Sequence, residues 1–203
     1  MSLSVWKLGG SCFDLPDLKQ RLLRLHARGE AGQQVVVIAG GGLFADAVRR
    51  VDQLHSLPGE CSHRMALDAM RMSAAMIAAL LGQSGPVVDS TEQRARLLQS
   101  ADDGEGESSI QVWDVIDLWH TLVPELEDRF GKLPADWRLT SDSIAAAVAA
   151  FGNAERLVLC KSIDRPSGEP GTSWAEADAV DPTLPQLVPF LKQIRWVNLR
   201  STP

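Results

Sequence analysis

The chain has 203 residues and a net charge of -6, from 20 basic and 26 acidic side chains. Its 45% hydrophobic and 23% charged residues are typical of a globular protein and exclude a disordered chain. The length indicates a single domain, since domains average about 150 residues. The acidic balance excludes a broad nucleic-acid surface, which needs clustered lysine and arginine.

Strands and helices alternate along the sequence. The β-branched run at 35–38 is typical of a strand buried on both faces, and Gly29, Gly82 and Gly152 are typical helix ends. The predicted elements are a strand at 3–8, a helix at 14–29, a strand at 34–39, helices at 43–54 and 61–81, a strand at 86–88, a polar helix at 91–100, a strand at 110–115, a helical or irregular segment at 117–130, a helix at 140–151, a strand at 156–160, a loop at 164–181, a helix at 184–192 and a strand at 194–199. This alternation predicts an α/β fold, a three-layer αβα sandwich with a mainly parallel central sheet.

Helix starts are predicted from residues that favour the N-cap position. Asp14, with Pro16 behind it, predicts the start of the first helix. Thr91 is the predicted cap of the polar helix, and Thr140 or Ser141 is the predicted cap of the helix at 140–151. The acidic segment at 101–109 predicts an exposed loop, and the alternative, a metal site, lacks a fixed spacing of oxygen ligands.

The three cysteines, Cys12, Cys61 and Cys160, are scattered and predict reduced thiols in a cytosolic protein. The absence of CxxC and HExxH spacings argues against a structural zinc site. The first residues lack the apolar region of a signal peptide, and the apolar stretch at 74–81 is too short to span a bilayer. We therefore expect a cytoplasmic protein whose partners include neither nucleic acid nor a membrane.

Two glycine turns follow the first two predicted strands. The sequence Lys-Leu-Gly-Gly-Ser at 7–11 ends the first strand, and three glycines at 40–42 end the second and open a helix. Bare backbone N–H groups approach anions closely, and a helix N-terminus suits a phosphate or a carboxylate. Because parallel strands share one carboxyl edge, both turns are expected to face one ligand crevice. The alternative is that both are only tight turns.

Other polar residues stand at predicted element ends. The segment Thr-Ser-Asp-Ser at 140–143 places three hydroxyl groups around Asp142, which is more than one helix cap needs. Asp142 is expected to anchor a lysine or to orient an acceptor. Lys161 follows a buried strand, where it either binds an anion or points to solvent. His63, near the start of the long helix, is either structural or in contact with a substrate.

The order of these motifs resembles the amino acid kinase superfamily, which includes acetylglutamate, aspartate, uridylate and isopentenyl phosphate kinases. Within it, the chain is most similar to the small archaeal-type kinases that phosphorylate an aminomethyl-furan-methyl phosphate in methanofuran biosynthesis, a branch of one-carbon cofactor metabolism. The resemblance covers nearly the whole chain, and its most specific part is Trp-x-x-Thr-Ser-Asp-Ser at 137–143. The segments that carry it are 7–11, 39–46, 62–63, 133–145 and 180–183.

The resemblance implies transfer of a phosphoryl group from Mg-ATP to a small anionic acceptor, by positioning and charge neutralisation. It implies that Lys7 stabilises the transferring group, that Asp142 holds this lysine, and that Lys161 is a second phosphate-binding lysine. Magnesium would be held mainly by the ATP phosphates. The implied ATP phosphate-binding residues are Gly9, Gly10 and Ser11, and the implied substrate-binding residues are Gly41, Gly42, Asp46, His63, Thr140 and Ser141.

The resemblance divides the single domain into an acceptor-side half, about 1–138, and a nucleotide-side half, about 139–203, that is shorter than in larger members. A glycine that those members carry after the strand at 156–160 is absent, and Arg165 and Pro166 stand there. Asp46 replaces the histidine of isopentenyl phosphate kinases, which disfavours that acceptor.

Three functions follow from the resemblance. The leading one is an ATP-dependent kinase for a phosphate monoester, with the furan-methyl phosphate as its named candidate. The second is a kinase of the same fold for a nucleoside monophosphate or an amino-acid carboxylate. The third, motivated by the short nucleotide-side half, is a non-catalytic ligand-binding protein. The resemblance also implies a homodimer or a higher homo-oligomer.

Overall fold

The computed structural model describes residues 2–29, 34–98 and 109–201. Residues 101–108 of the predicted acidic loop lie outside the described residues. The helices and strands are β1 (Leu3–Leu8), α1 (Leu18–Gly29), β2 (Gln34–Ala39), α2 (Gly42–His55), α3 (Gly59–Leu81), α4 (Ser90–Leu98), β3 (Ser109–Trp113), α5 (Ile116–Phe130), α6 (Ser141–Phe151), β4 (Arg156–Lys161), α7 (Thr172–Glu176), α8 (Leu184–Leu187) and β5 (Ile194–Asn198).

The strands form a parallel sheet in the order β3-β2-β1-β4-β5. Lys7 of the central strand β1 pairs with Ile38 of β2 on one side and with Leu159 of β4 on the other. This register brings the carboxyl ends of the three strands level with one another. Because β2 and β3 lie on one side of β1, and β4 and β5 on the other, the strand order reverses at β1, and the crevice above it is where an open α/β sheet binds ligands.

The sheet is covered on both faces. Val36 and Ile38 pack in one apolar core with α5 and α6, whereas Val35 and Val37 pack in a second core with α1 and α3. All four side chains are fully buried, as the β-branched run predicts. The prediction of an α/β sandwich with helices on both sides of a parallel sheet is confirmed.

Two predicted helix starts are wrong. α1 begins at Leu18, and the carboxylate of Asp14 accepts a hydrogen bond from Arg200 at 2.8 Å. α4 is capped by Asp89 rather than by Thr91, because Oδ1 of Asp89 accepts two backbone N–H groups of the first turn at 2.8 and 3.1 Å. At α1, Arg200 from the far end of the sequence binds the carboxylate that is predicted to cap the helix.

Several predicted elements differ in extent. The strand at 86–88 is a single bridge between Val87 and Trp113. α5 continues through Pro124, because the burial of its apolar face outweighs one lost backbone hydrogen bond. The helix predicted at 184–192 ends at Leu187 and is followed by a 3₁₀ turn, and the loop predicted at 164–181 contains α7.

The two glycine turns contact each other through their backbones. A Cβ atom on Gly10 would lie 2.2 Å from the Cα of Gly42 and 2.4 Å from its nitrogen. Gly42 has a φ of 51°, in the left-handed region that favours glycine. The sequence predicts bare backbone for the approach of an anion, and the structure adds a second need, the contact between the turns.

Gly10→Ala is therefore expected to lower the free energy of unfolding by about 1–3 kcal/mol, the usual cost of an extra group in a packed region. Urea denaturation followed by circular dichroism measures the change. The matched control is Gly85→Ala, where a Cβ atom meets nothing within 4 Å. This control is expected within about 0.5 kcal/mol of the wild type. Equal stability of the two variants would contradict the packing argument.

Candidate active site

A cavity of about 390 Å³ opens at the carboxyl ends of β1, β2 and β4, beside the first turn of α6. The residues that line it are Lys7, Gly10, Ser11, Gly40, Gly41, Gly42, Ala45, Asp46, Arg49, His63, Ala66, Leu67, Met70, Trp137, Leu139, Thr140, Ser141, Asp142, Ile144, Lys161, Asp178, Ala179, Val180, Asp181 and Pro182. The structure thus brings together every site residue predicted from the sequence except Gly9.

The carboxylate of Asp142 lies between two lysines. Its Oδ1 is 2.9 Å from Nζ of Lys7 and 2.8 Å from Nζ of Lys161, and its Oδ2 accepts a hydrogen bond from Lys161 at 2.8 Å. The side chains of Lys7, Lys161 and Asp142 are 7%, 10% and 6% exposed. Three charged groups therefore meet where little water can screen them.

The environment shifts the protonation of this cluster. Burial alone would raise the pKa of Asp142, but the two lysines outweigh burial, and the pKa of this carboxyl lies below its usual value. Burial and the charge of Lys7 lower the pKa of Lys161 to about 8, although Asp142 opposes this change. Asp142 is therefore a fixed anion, while Lys161 can lose its proton in mildly basic solution.

Lys161 has further contacts that hold its ammonium group in place. Its Nζ donates a hydrogen bond to the carbonyl oxygen of Ala179 at 2.7 Å and lies 5.6 Å from the centre of the Trp196 ring. The cation–π distance is within the usual range for such contacts. This lysine therefore does not point to solvent, which was the alternative left open by the sequence.

Thr140 is the N-cap residue of α6, as the sequence predicts, but its side chain makes no capping hydrogen bond, and the carboxylate of Asp181 accepts the N–H groups of this turn instead. Oδ2 of Asp181 accepts hydrogen bonds from the backbone N–H and the hydroxyl of Thr140, at 3.0 and 2.9 Å, and from the backbone N–H of Ser143 at 3.0 Å. The hydroxyl of Ser143 donates to Oδ1. The predicted position of the cap is therefore confirmed at Thr140, whereas its hydroxyl donates to Asp181 and does not accept an N–H group of the turn.

The N–H groups of the first glycine turn differ in their availability. The N–H of Gly9 donates to the carbonyl oxygen of Cys160 at 2.8 Å and so continues the pairing of β1 with β4. The role predicted for Gly9, a donor to ATP phosphates, is therefore contradicted by this bond. The hydroxyl of Ser11 shares a hydrogen bond of 2.8 Å with that of Ser162, which links the turns after β1 and β4.

The cavity lining also includes an aromatic and charged group of residues. The guanidinium of Arg49 lies 4.7 Å from the centre of the Trp137 ring and 2.9 Å from the carboxylate of Asp46. The indole N–H of Trp137 donates to Asp52 at 2.6 Å, which fixes the ring. The side chains of Arg49 and Asp46 are 47% and 70% exposed, so their ion pair is weak and can open for a ligand.

His63 lines the same cavity and is buried. Burial lowers its pKa, and a hydrogen bond to the backbone of Asp136 offsets this only in part. The imidazole is therefore neutral near pH 7, where it offers a lone pair rather than a positive charge. Cys12 is a free thiol, and burial raises its pKa to about 11, so it is not a thiolate near neutral pH.

Sequence reasoning missed three site residues, namely Arg49, Trp137 and Asp181. Trp137 and Asp181 lie in segments that carry the family resemblance, but no role was attached to either. Trp137 contacts Asp52, which is 85 positions away in the sequence, and Asp181 contacts Thr140, which is 41 positions away. Nothing in a local pattern marks such pairs.

The buried carboxylates leave little capacity for a metal of their own. Both oxygens of Asp142 face lysines, and those of Asp181 accept N–H and O–H groups. In residues 2–29, 34–98 and 109–201, no group of three histidine, cysteine or acidic side chains is arranged to hold a metal ion. Over the same residues, no helix is long and apolar enough to cross a membrane.

A parallel αβα sandwich with two lysines, one carboxylate and two glycine turns at a single strand edge has the parts of a phosphotransferase, which acts by positioning and charge neutralisation. The chain belongs to the amino acid kinase family, whose family model matches residues 2–165. No curated protein matches the sequence.

Solved structures share the fold. The uridylate kinase from Archaeoglobus fulgidus is 15% identical with a TM-score of 0.62, over 98% of this chain and 93% of that chain. The UMP kinase from Bacillus anthracis is 10% identical with a TM-score of 0.61, over 98% and 88%. The UMP kinase from Ureaplasma parvum is 14% identical with a TM-score of 0.58, over 99% and 91%. At these identities the likeness concerns the fold alone.

Asp142→Asn is expected to lower the free energy of unfolding by about 3–5 kcal/mol, because it leaves two buried ammonium groups without their anion. Urea denaturation near pH 7 measures this. The matched control is Asp117→Asn, whose carboxylate is 61% exposed and 2.7 Å from Arg71. Its expected cost is below about 1 kcal/mol. A loss in Asp142→Asn no larger than in this control would show that the cluster does not depend on the charge.

Proposed function

We propose that the protein is an ATP-dependent kinase that transfers the γ-phosphoryl group to a phosphate monoester. The observation that supports it best is the pair of lysines on one carboxylate, at a cavity edge with bare backbone turns. Two fixed cations favour a group whose negative charge is spread over several oxygens in the transition state.

The chemistry of the acceptor agrees with the side chains of the cavity. A phosphate monoester is largely ionised at neutral pH, since its second pKa is about 6. One of its oxygens can attack the γ-phosphorus while the bond to the β–γ bridging oxygen breaks and ADP leaves. No general base is required for this step. Asp142 is engaged by the lysines and would be unsuitable as a base.

Each residue then has a part in the transfer. Lys7 contacts the transferring group, Lys161 binds a second phosphate, and Asp142 positions both ammonium groups. Gly10 and Ser11 serve the ATP phosphates. The residues proposed to bind the acceptor are Gly41, Gly42, Asp46, His63, Thr140 and Ser141, which all line the cavity.

Mg²⁺ fits the site only as a metal that arrives on ATP, since the buried carboxylates are already engaged. When bound, it would neutralise part of the phosphate charge.

Two acceptors are candidates. The motifs at 137–143 and 180–183 favour an aminomethyl-furan-methyl phosphate, as in methanofuran biosynthesis. The fold shared with uridylate kinases favours a nucleoside monophosphate. The homodimer or higher homo-oligomer and the division of the chain near residue 138 stay predictions from the resemblance.

Purified protein with Mg-ATP is expected to phosphorylate one phosphate monoester in a panel of the furan-methyl phosphate, UMP and an amino-acid carboxylate. ADP release and phosphorus NMR of the products measure transfer. Exclusive transfer to the carboxylate would contradict the monoester class, and the absence of Mg-ATP binding in calorimetry would support a non-catalytic protein instead.

The same assay tests Lys7. Lys7→Ala is expected to lower kcat more than about tenfold, because one of the two fixed cations at the transferring group is lost. The fold is expected to remain, since Asp142 keeps Lys161 as its partner. Lys132→Ala, at an exposed lysine that does not line the cavity, is the matched control. Equal rates for the two variants would remove Lys7 from the mechanism.

The pH profile of kcat is expected to follow the protonation of Lys161. Its pKa is about 8, so the ammonium form and the rate persist below this pH, and the rate falls about tenfold by one pH unit above it. Steady-state kinetics in overlapping buffers measure the profile. Lys161→Arg keeps its charge across this range, so its pH profile of kcat is expected to show no fall at basic pH. A basic limb that persists in this variant would assign it to another group.

A further inference from the structure

Asp181 makes more hydrogen bonds than a helix cap needs. Besides its bonds to Thr140 and Ser143, its Oδ1 accepts the backbone N–H groups of Thr183 and Leu184, each at 3.2 Å. One side chain therefore joins the first turn of α6 to the first turn of α8. The residue is 7% exposed. A cap ordinarily satisfies one or two N–H groups, so this carboxylate ties two segments together.

Both of these segments contact Lys161. The first turn of α6 supplies Asp142, whose carboxylate holds Nζ of Lys161 at 2.8 Å. The chain just before Asp181 supplies the carbonyl oxygen of Ala179, which accepts from the same Nζ at 2.7 Å. By joining these two segments, the hydrogen bonds of Asp181 fix the two acceptors of the Lys161 ammonium group relative to each other.

Asp181 carries its charge at a buried position, where a charge is costly. Four backbone N–H groups donate to its two oxygens, two to Oδ2 and two to Oδ1, and this arrangement favours the ionised carboxylate. Burial and the charge of Asp142 raise the pKa of Asp181, while the hydrogen bonds from Ser143 and Thr140 oppose this. A neutral serine or asparagine can cap a helix equally well, so capping alone does not explain an aspartate here.

The negative charge of Asp181 acts on Lys161. The charged groups that face Lys161 are Lys7 from β1, Asp142 from α6 and Asp181. Lys7 favours loss of the Lys161 proton, and the two carboxylates favour its retention. Asp181 thus acts on Lys161 in two ways, by fixing the acceptors of its hydrogen bonds and by adding a second negative charge.

We propose that Asp181 is a positioning residue for phosphoryl transfer. It fixes the positions of Asp142 and the Ala179 carbonyl around Lys161, and it keeps this lysine charged. The role in transfer rests on the proposed function. The effect on Lys161 itself can be measured without any turnover.

Asp181→Asn is the isosteric test. It is expected to lower the midpoint at which Lys161 titrates by about one pH unit, because one nearby negative charge is lost. Carbon and nitrogen NMR of labelled lysine measures this, since the chain has only five lysines and Lys161→Arg assigns the signal. In the kinase assay the variant is expected to lower kcat by about tenfold to a hundredfold with KM nearly unchanged, and to move the basic limb to lower pH.

Asp89→Asn is the matched control. Asp89 also caps a helix by accepting two backbone N–H groups, but it does not line the cavity. This control is expected to keep the Lys161 midpoint and kcat of the wild type. A Lys161 midpoint unchanged in Asp181→Asn would overturn the proposal, whatever happens to the unfolding midpoint. A wild type that transfers no phosphoryl group would overturn the proposed function only, because the NMR titration still decides the effect on Lys161.

Ser143→Ala is a milder variant in case Asp181→Asn does not fold. It removes one donor to Asp181 and keeps the charge. It is expected to lower kcat about threefold to tenfold, because the link between Asp181 and α6 is weakened. The pH midpoint at which Lys161 titrates is expected to stay the same. A wild-type kcat in Ser143→Ala would overturn the positioning role.

Discussion

One carboxylate, that of Asp142, holds two buried ammonium groups, and the ligand edge of the sheet depends on it. Lys7 and Lys161 lie near the carboxyl ends of neighbouring parallel strands, where their charges would repel each other without an anion between them. The anion comes from the first turn of α6, where the helix dipole favours a negative charge. The position of this helix start therefore decides whether β1 and β4 can both carry a lysine at this edge.

The parts of the fold that the sequence predicts are those set by local chemistry. The run of β-branched residues in β2 specifies a strand buried on both faces, and such strands occur in parallel sheets with helices on each side. The parallel order then places Lys7, Lys161 and the glycine turns at one edge. This is why a list of residues scattered between 7 and 161 converges on one cavity.

The parts that the sequence does not predict are set by contacts between distant segments. Asp14 and Thr140 both have the chemistry of helix caps, yet the carboxylate of Asp14 binds Arg200, and at the N-cap position of Thr140 the accepting group is Asp181. The ring of Trp137 is likewise fixed by Asp52, from a different helix. Gly9 fails as a phosphate donor for a similar reason, because strand pairing with Cys160 uses its N–H. In each case a partner from another element decides the role.

The fixed charges of the cavity also bear on how a phosphoryl group would be neutralised there. The lining of the cavity has three basic side chains, Lys7, Arg49 and Lys161, against four aspartates, Asp46, Asp142, Asp178 and Asp181. Backbone N–H groups of the turns and of α6 add only partial charges. The charge on the oxygens of a transferring group is therefore not cancelled by the protein alone. For the proposed reaction, the lysines would position the phosphates and compensate part of their charge, and a divalent cation bound to the nucleotide would supply the rest.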